Sequence, residues 1–273
     1  MTRTHRRGFT ILELVVVIAI IAVLIAFLVP ATRRVSVASI RAQCQYNLKQ
    51  ILFGLHGYHD VHRGTQLPSA DESLKGGKHG FPPGCINAGS APEERLSWIV
   101  AVLPYVEQQS LYNQLNLKAD YDANRKLTDT MLAVFHCPSS IDNGPVSTYF
   151  ALAGIGRDAP LRPFGDPRNG FMGFDRPNSL GMIKDGTSQT IALAETSTNL
   201  GPWARGGFAN VRGFVPTDLP LHGENRPFMG HTNIFNAGMA DGSVRFVKGS
   251  IDPHKLAATI TIAGGEDAAT YLD

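Results

Sequence analysis

From Leu14 to Val29 the chain runs through sixteen apolar residues in succession. Counted from Phe9, the run is twenty-one residues long and is broken only by Thr10 and Glu13. At ~1.5 Å per residue such a helix measures about 31 Å, close to the ~30 Å of bilayer hydrocarbon. Valine and isoleucine dominate it, and their modest helix propensity gives way where lipid forbids unpaired backbone groups. Beyond Pro30 the pattern turns one-sided. Val37, Ile40, Cys44, Leu48, Ile51, Leu52 and Leu55 recur at helical steps, with Arg41, Gln45, Asn47 and Lys49 on other faces. These positions predict one helix from about Ile11, bent at Pro30 and stopping near Tyr58 to His62. Its first half suits lipid and its second half suits the side of a globular domain.

The rest of the chain is punctuated differently. Turn formers fill the stretch from about Gly64 to Pro92, which predicts a loop. Trp98 to Leu117 predicts a helix with a kink or join near Pro104, and Leu127 to Phe135 a second, shorter one. Strands are predicted over Ser147–Ala153, Thr190–Glu195, Phe208–Phe214, Asn233–Met239 and Ser243–Lys248. Asp241-Gly242 between the last two is the strongest hairpin signal in the chain. After it, Val244 and Phe246 alternate with Ser243 and Arg245, which predicts that Val244 and Phe246 face inward.

Composition narrows the function classes. The chain has 273 residues, 43% of them apolar, and a formal charge of +2 with no basic stripe, so nucleic acid is not an expected partner. Its 28 glycines and 17 prolines fit a turn-rich domain of short strands. No G-x-S-x-G, P-loop or H-E-x-x-H is present, so an enzyme is not expected and no cofactor is implied. The three cysteines, Cys44, Cys85 and Cys137, form no C-x-x-C.

Glu13 is the residue that an apolar span does not explain. An ordinary secretory signal would use the basic start and the small residues near Val29-Pro30-Ala31, but Glu13 would then be a pure cost. A twin-arginine signal would use Arg6-Arg7, and the strongly apolar run argues against it. In a plain anchor Glu13, being near the helix end, would snorkel to the interface at less than the ~2.5–3.5 kcal/mol of a central carboxylate. Arg3, Arg6 and Arg7 before the run and Arg33 and Arg34 after it leave the positive-inside rule ambiguous.

The segment closely resembles the prepilin cleavage and methylation motif of type IV pilins and type II secretion pseudopilins. That motif is a basic leader, Gly, then Phe-Thr-x-x-Glu and a long apolar run, here Gly8, Phe9, Thr10, Ile11, Leu12 and Glu13. The resemblance implies that a prepilin peptidase/methylase cuts between Gly8 and Phe9 and methylates the Phe9 amine. It also implies an inner-membrane, single-pass chain with other pilin-like subunits as partners and its bulk in the periplasm or at the cell surface. The charge logic agrees: cleavage creates an amine of reference pKa near 7.7–8.0, and a neighbouring subunit's amine would pair with Glu13. Burying two opposite charges together costs far less than burying either alone, and the pair would set axial register.

The remainder resembles large pilin-like bacterial proteins whose main domain has no assigned function. NLKQILFGLHGYHD (Asn47–Asp60), FPPG (Phe81–Gly84), FHCPSS (Phe135–Ser140), IKDGTSQTIALAET (Ile183–Thr196) and MADGSVRFV (Met239–Val247) carry it. The family's tail motif is His, nine residues, then Asp-Gly; His231 and Asp241-Gly242 fit it, although Thr232-Asn233 replace the usual glycines. Cys44 and Cys137 both lie in matched stretches, and outside the cytoplasm a Cys44–Cys137 disulfide is expected, leaving Cys85 free; the bland alternative is three thiols. The fold implied is α+β and pilin-like: a leader over 1–8, a transmembrane helix over 9–30, its amphipathic continuation over 31–62, and a mainly antiparallel ectodomain with short helices over 63–273.

Other chemistry is weaker. His56, His59 and His62 lie loosely on one side of a helix and are weak metal candidates beside solvated imidazoles. His231 with Asp241 reads as a structural hydrogen bond across the final hairpin rather than a catalytic or metal pair. Asp185-Gly186-Thr187-Ser188 reads as a turn rather than a calcium loop, and Glu195 as a hydrogen-bonded structural carboxylate. The expected function is a pilin-like structural subunit. The alternative is a tethered solute- or glycan-binding domain lined by aromatics of Phe164–Phe174 and Trp203–Phe214.

Overall fold

The computed structural model describes residues 11–63, 80–87, 89, 91–218, 220–221, 228, 231 and 233–265, and of 26–37 the backbone alone. The leader, Gly8 and Phe9 lie outside the described residues. Helix α1 runs from Ile11 to His62, through Pro30, and ends at the far limit of the expected Tyr58–His62 stop. The chain divides into two units, Met1–Ala42 and Gln43–Asp273. The division falls inside α1, so the turns from Gln43 onward belong with the ectodomain, ahead of the expected boundary at 62–63.

In the first unit the large apolar side chains from Ile11 to Ile25 are all exposed, from 44% at Val17 to 83% at Ile11. Among the described residues no helix is long and apolar enough to cross a membrane. The apolar sequence continues to Val29, but the side chains described in this stretch end at Ile25.

In the second unit α1 buries the predicted stripe. Cys44, Leu48, Ile51, Leu52 and Leu55 are at most 1% exposed, whereas Tyr46 and Phe53 on the opposite side are exposed. Two glycines set the contacts of this stripe. A Cβ on Gly54 would lie 2.7 Å from the Cγ1 atoms of Val102 and Val106, and one on Gly238 would lie 2.8 Å from Leu52 Cδ1. Only backbone fits at these crossings.

Strands β1 (Cys85–Ile86) and β2 (Leu96–Ser97) form a two-stranded pair. The main sheet holds β3 (Tyr149–Ile155), β4 (Ile191–Glu195), β5 (Val211–Phe214), β6 (Ile234–Met239) and β7 (Val244–Lys248) in the order β5-β3-β4-β6-β7. Every neighbouring pair is antiparallel except β3 with β5. The fold is therefore α+β with a mainly antiparallel sheet, and all five predicted strands are present with shifted ends. Phe150, Phe214, Phe228, Phe235, Met239 and Val247 share one core cluster, in which Phe228 stacks on Phe235 at 4.4 Å.

The Asp241-Gly242 turn forms as predicted: Gly242 has φ +89° and Met239 N–H donates to Ser243 O. The facing of β7 is the reverse of the expectation. Phe246 is 47% exposed and Val247 is buried, because register places Val247 opposite Phe235 in the core cluster and Phe246 opposite Asn236, outside it. One residue of register exchanges the faces of a strand.

The helix expected over Trp98–Leu117 is broken. It consists of α2 (Trp98–Val102), capped by Ser97 Oγ accepting from Ile99 N–H, a 3-10 turn over Leu103–Val106, and α3 (Gln109–Tyr112). Pro104 opens the 3-10 turn, and Glu107 at φ +62° ends it. The helix expected over Leu127–Phe135 instead forms earlier, as α4 (Tyr121–Thr128), because Asp120 caps Ala123 N–H; only Ala133–Phe135 winds again, as a 3-10 turn. An unpredicted α5 (Pro253–Ala258) follows an Asp252 N-cap with Pro253 in its first turn.

Candidate functional site

Four chain segments far apart in sequence meet behind the middle of the sheet. Helix α1 brings Cys44, the turn after Phe135 brings Cys137, β4 ends on Glu195, and the segment before β6 brings His231. Cys44 and Cys137 are joined by a disulfide, with their Cα atoms 5.0 Å apart and 93 residues between them in sequence. The donor atoms of all four side chains lie within 4.8 Å of one another.

The surroundings explain why each group stands where it does. Cys44 sits on the buried stripe of α1, and its carbonyl accepts from the Tyr149 hydroxyl at 3.0 Å. Cys137 N–H donates to Thr148 Oγ1 at 2.7 Å, which ties the turn to the start of β3. Asn47, one turn along α1 from Cys44, donates to the carbonyls of Ala133 and His136. The same junction is thus held by a covalent bond and by hydrogen bonds on both sides of it.

Glu195 is fully buried. Its Oε2 accepts from Asn236 N–H at 3.3 Å and from Asn236 Nδ2 at 2.8 Å, and its Oε1 lies 3.8 Å from His231 Nε2. Oε1 makes no hydrogen bond among the described residues. Burial pushes the Glu195 carboxyl up to about 7, against the pull of the two Asn236 bonds. Burial, and then the Glu195 carboxylate, push the Tyr149 phenol well above its ordinary value.

The expected pairing of His231 with Asp241 is not what forms. His231 faces Glu195, while Asp241 Oδ1 accepts from Ser243 N–H and its own N–H donates to Thr187 O. Asp241 and Gly242 shape the hairpin turn; His231 belongs to the buried cluster. The reason is the sheet order: β4 lies beside β6, which brings the end of β4 to the segment leading into β6.

The three helix histidines are not brought together as a metal site among the described residues. His56 Nε2 donates to Ala240 O at 3.0 Å, His62 Nδ1 donates to Tyr58 O at 2.9 Å, and His59 Nδ1 lies 3.4 Å from Asp60 Oδ1. Asp185 forms the expected turn and also accepts from Gly264 and Gly265 N–H, fastening the C-terminal segment. Cys85 is buried and free, and burial pushes its thiol up to about 12. Glu13 stands in the first turn of α1, in the exposed apolar stretch.

The aromatics offered as a ligand-binding lining are mostly core. Phe171, Phe174, Trp203 and Phe214 are at most 1% exposed. A surface cleft of about 520 Å³ touches the first of these stretches only at Pro167 and Arg168; Ile155, Pro216, His254 and Lys255 also line it, and no phenyl, phenol or indole ring does.

A family model described as "Protein of unknown function (DUF1559)" matches residues 38–217, and one described as "Prokaryotic N-terminal methylation motif" matches residues 3–29. The first span takes in Cys44, Cys137 and Glu195 and stops before His231. No curated protein and no solved structure matches the chain.

Proposed function

Because this chain belongs to the DUF1559 family of unknown function and opens on a prokaryotic N-terminal methylation motif, we propose that it is a pilin-like structural subunit. A prepilin peptidase cuts it between Gly8 and Phe9 and methylates Phe9. A type II secretion or type IV pilus-like system then assembles it. The observation that carries this reading is the front of α1. Glu13 is the one acidic side chain in an apolar stretch whose large side chains are all exposed. Such a continuous apolar surface needs a cover, either lipid or identical helices.

The chemistry follows from the cut. After it, each subunit offers a cation four residues upstream of Glu13. In a stack of subunits the Phe9 amine of one chain meets Glu13 of the next, and the pair fixes their axial offset. The subunit sits in the inner membrane with its C-terminal domain in the periplasm or at the cell surface. The Cys44–Cys137 disulfide supports that placement, since such bonds persist in oxidising compartments. The role is structural rather than enzymatic. A ligand-binding ectodomain has less support, because Phe171, Phe174, Trp203 and Phe214 fill the core, although Phe208 is exposed.

Mass spectrometry of the mature N-terminus tests the reading. N-methylated Phe9 is expected. A start at Thr32, or an intact leader in the working protein, would overturn it.

A further inference from the structure

The cluster of Cys44, Cys137, Glu195 and His231 holds more donor atoms than a structural disulfide needs. We propose that in the dithiol state these four side chains bind one zinc-class divalent cation, so that the metal and the disulfide are alternative ways of closing the same junction.

Three observations carry the inference. First, two sulfurs, an imidazole nitrogen and a carboxylate oxygen from four distant segments converge within 4.8 Å. Two Cys with one His and one Glu is a donor set that zinc takes in tetrahedral geometry. Second, Glu195 Oε1 is buried and makes no hydrogen bond among the described residues, a condition that costs about 1–3 kcal/mol unless something else takes the lone pairs. Third, the carboxylate is already aimed. Asn236 holds Oε2 with two hydrogen bonds and leaves Oε1 toward His231, the outer support that metal-binding carboxylates receive.

The geometry requires only a local change. Two sulfurs each ~2.3 Å from zinc at the tetrahedral angle stand about 3.8 Å apart, so the bonded pair has to open while the nitrogen and oxygen draw in by about 1 Å. Without a cation, two thiolates beside a buried carboxylate would repel, and they would remain thiols. The steps balance. A phosphine breaks the S–S bond, leaves as phosphine oxide with oxygen from water, and puts one proton on each sulfur. The divalent cation then displaces both protons. An organic disulfide reverses this by taking two electrons from the thiolates and two protons from water, leaving as two thiols, and the cation is released.

The full chain in detergent, reduced with a phosphine and titrated anaerobically with Co²⁺, tests the proposal. The reduced chain is expected to bind one equivalent, with the visible bands of tetrahedral cobalt and a thiolate-to-cobalt charge-transfer band, and Zn²⁺ should displace it. The oxidised chain should show neither band. His231→Ala and Glu195→Gln should each weaken binding by at least about tenfold, the loss that even an outer partner causes. Absence of the tetrahedral spectrum in a reduced chain that keeps its circular dichroism overturns the proposal. So does a spectrum that His231→Ala and Glu195→Gln leave unchanged. If reduction unfolds the chain, recovery of native circular dichroism with Co²⁺ supports the site, and failure to recover overturns it.

Discussion

The two ends of helix α1 are built from similar residues and live under opposite conditions. Near its start, Ile18, Ile21 and Leu24 are each about half exposed; in its last third, Leu48, Ile51 and Leu55 are at 0%. The difference lies in what stands between the apolar residues. The front is apolar all round, apart from Glu13, so no single face can be buried against one neighbour. The back alternates with Gln45, Lys49 and His56 and presents one stripe, which a sheet can cover. An all-round surface calls for an all-round environment, whereas a stripe calls for a partner of the same chain.

That contrast can be broken at the front. Glu13→Val should leave insertion and peptidase processing intact and abolish assembly, scored by subunit cross-linking in cells. Unchanged assembly would remove the charge-pairing role altogether. At the back, Cys44→Ala or Cys137→Ala should cost about 4–5 kcal/mol, given a closed loop of 93 residues, read from denaturant unfolding of the detergent-solubilised chain. Leu48→Ala should cost about 2–5 kcal/mol in the same assay, while Ile18→Ala should stay within about 0.5 kcal/mol. Equal costs at both positions would mean that the front is packed too.

Smaller effects sharpen the picture of the packed half. Gly54→Ala should cost about 1–3 kcal/mol, because the new methyl meets Val102 and Val106 at 2.7 Å, while Gly181→Ala, with nothing within 4 Å, is the control. The smallest effect concerns pH. Burial, partly offset by the bond to Ala240 O, lowers the His56 imidazole below its ordinary 6.5. The unfolded chain therefore takes up the proton first, so stability from His56 is full above about 6.5 and is lost as pH falls through that value toward the lower folded one. His56→Gln, which keeps a donor for Ala240 O, should flatten that fall; an unchanged slope would assign it to other groups.

Much of the fold was legible because it rests on local patterns. The apolar run, the helical stripe after Pro30 and the Asp-Gly turn each announce an element within a few residues, and each element formed. The misreadings share a cause. The facing of β7 depends on register with β6, the helix after Trp98 stops where Pro104 and Glu107 stop it, and α4 begins where Asp120 caps it. Glu195 reads as a structural carboxylate, and its two bonds to Asn236 agree; the Cys44–Cys137 disulfide is expected and forms, but nothing in the sequence places His231 and that disulfide beside Glu195. No local signal marks them, since 36 to 93 residues separate each member of the cluster from the next.

The sequence by itself determined that α1 has one all-round apolar part and one striped part, because hydrophobic period is a property of neighbouring residues. It also carried the prepilin-type motif around Gly8, Phe9 and Glu13 in full. Only the tertiary structure decided that His231 turns to Glu195 instead of Asp241, and that both stand against Cys44 and Cys137. Contacts between distant segments depend on strand order and helix docking, and those are settled by packing across the whole domain rather than by any one stretch of chain.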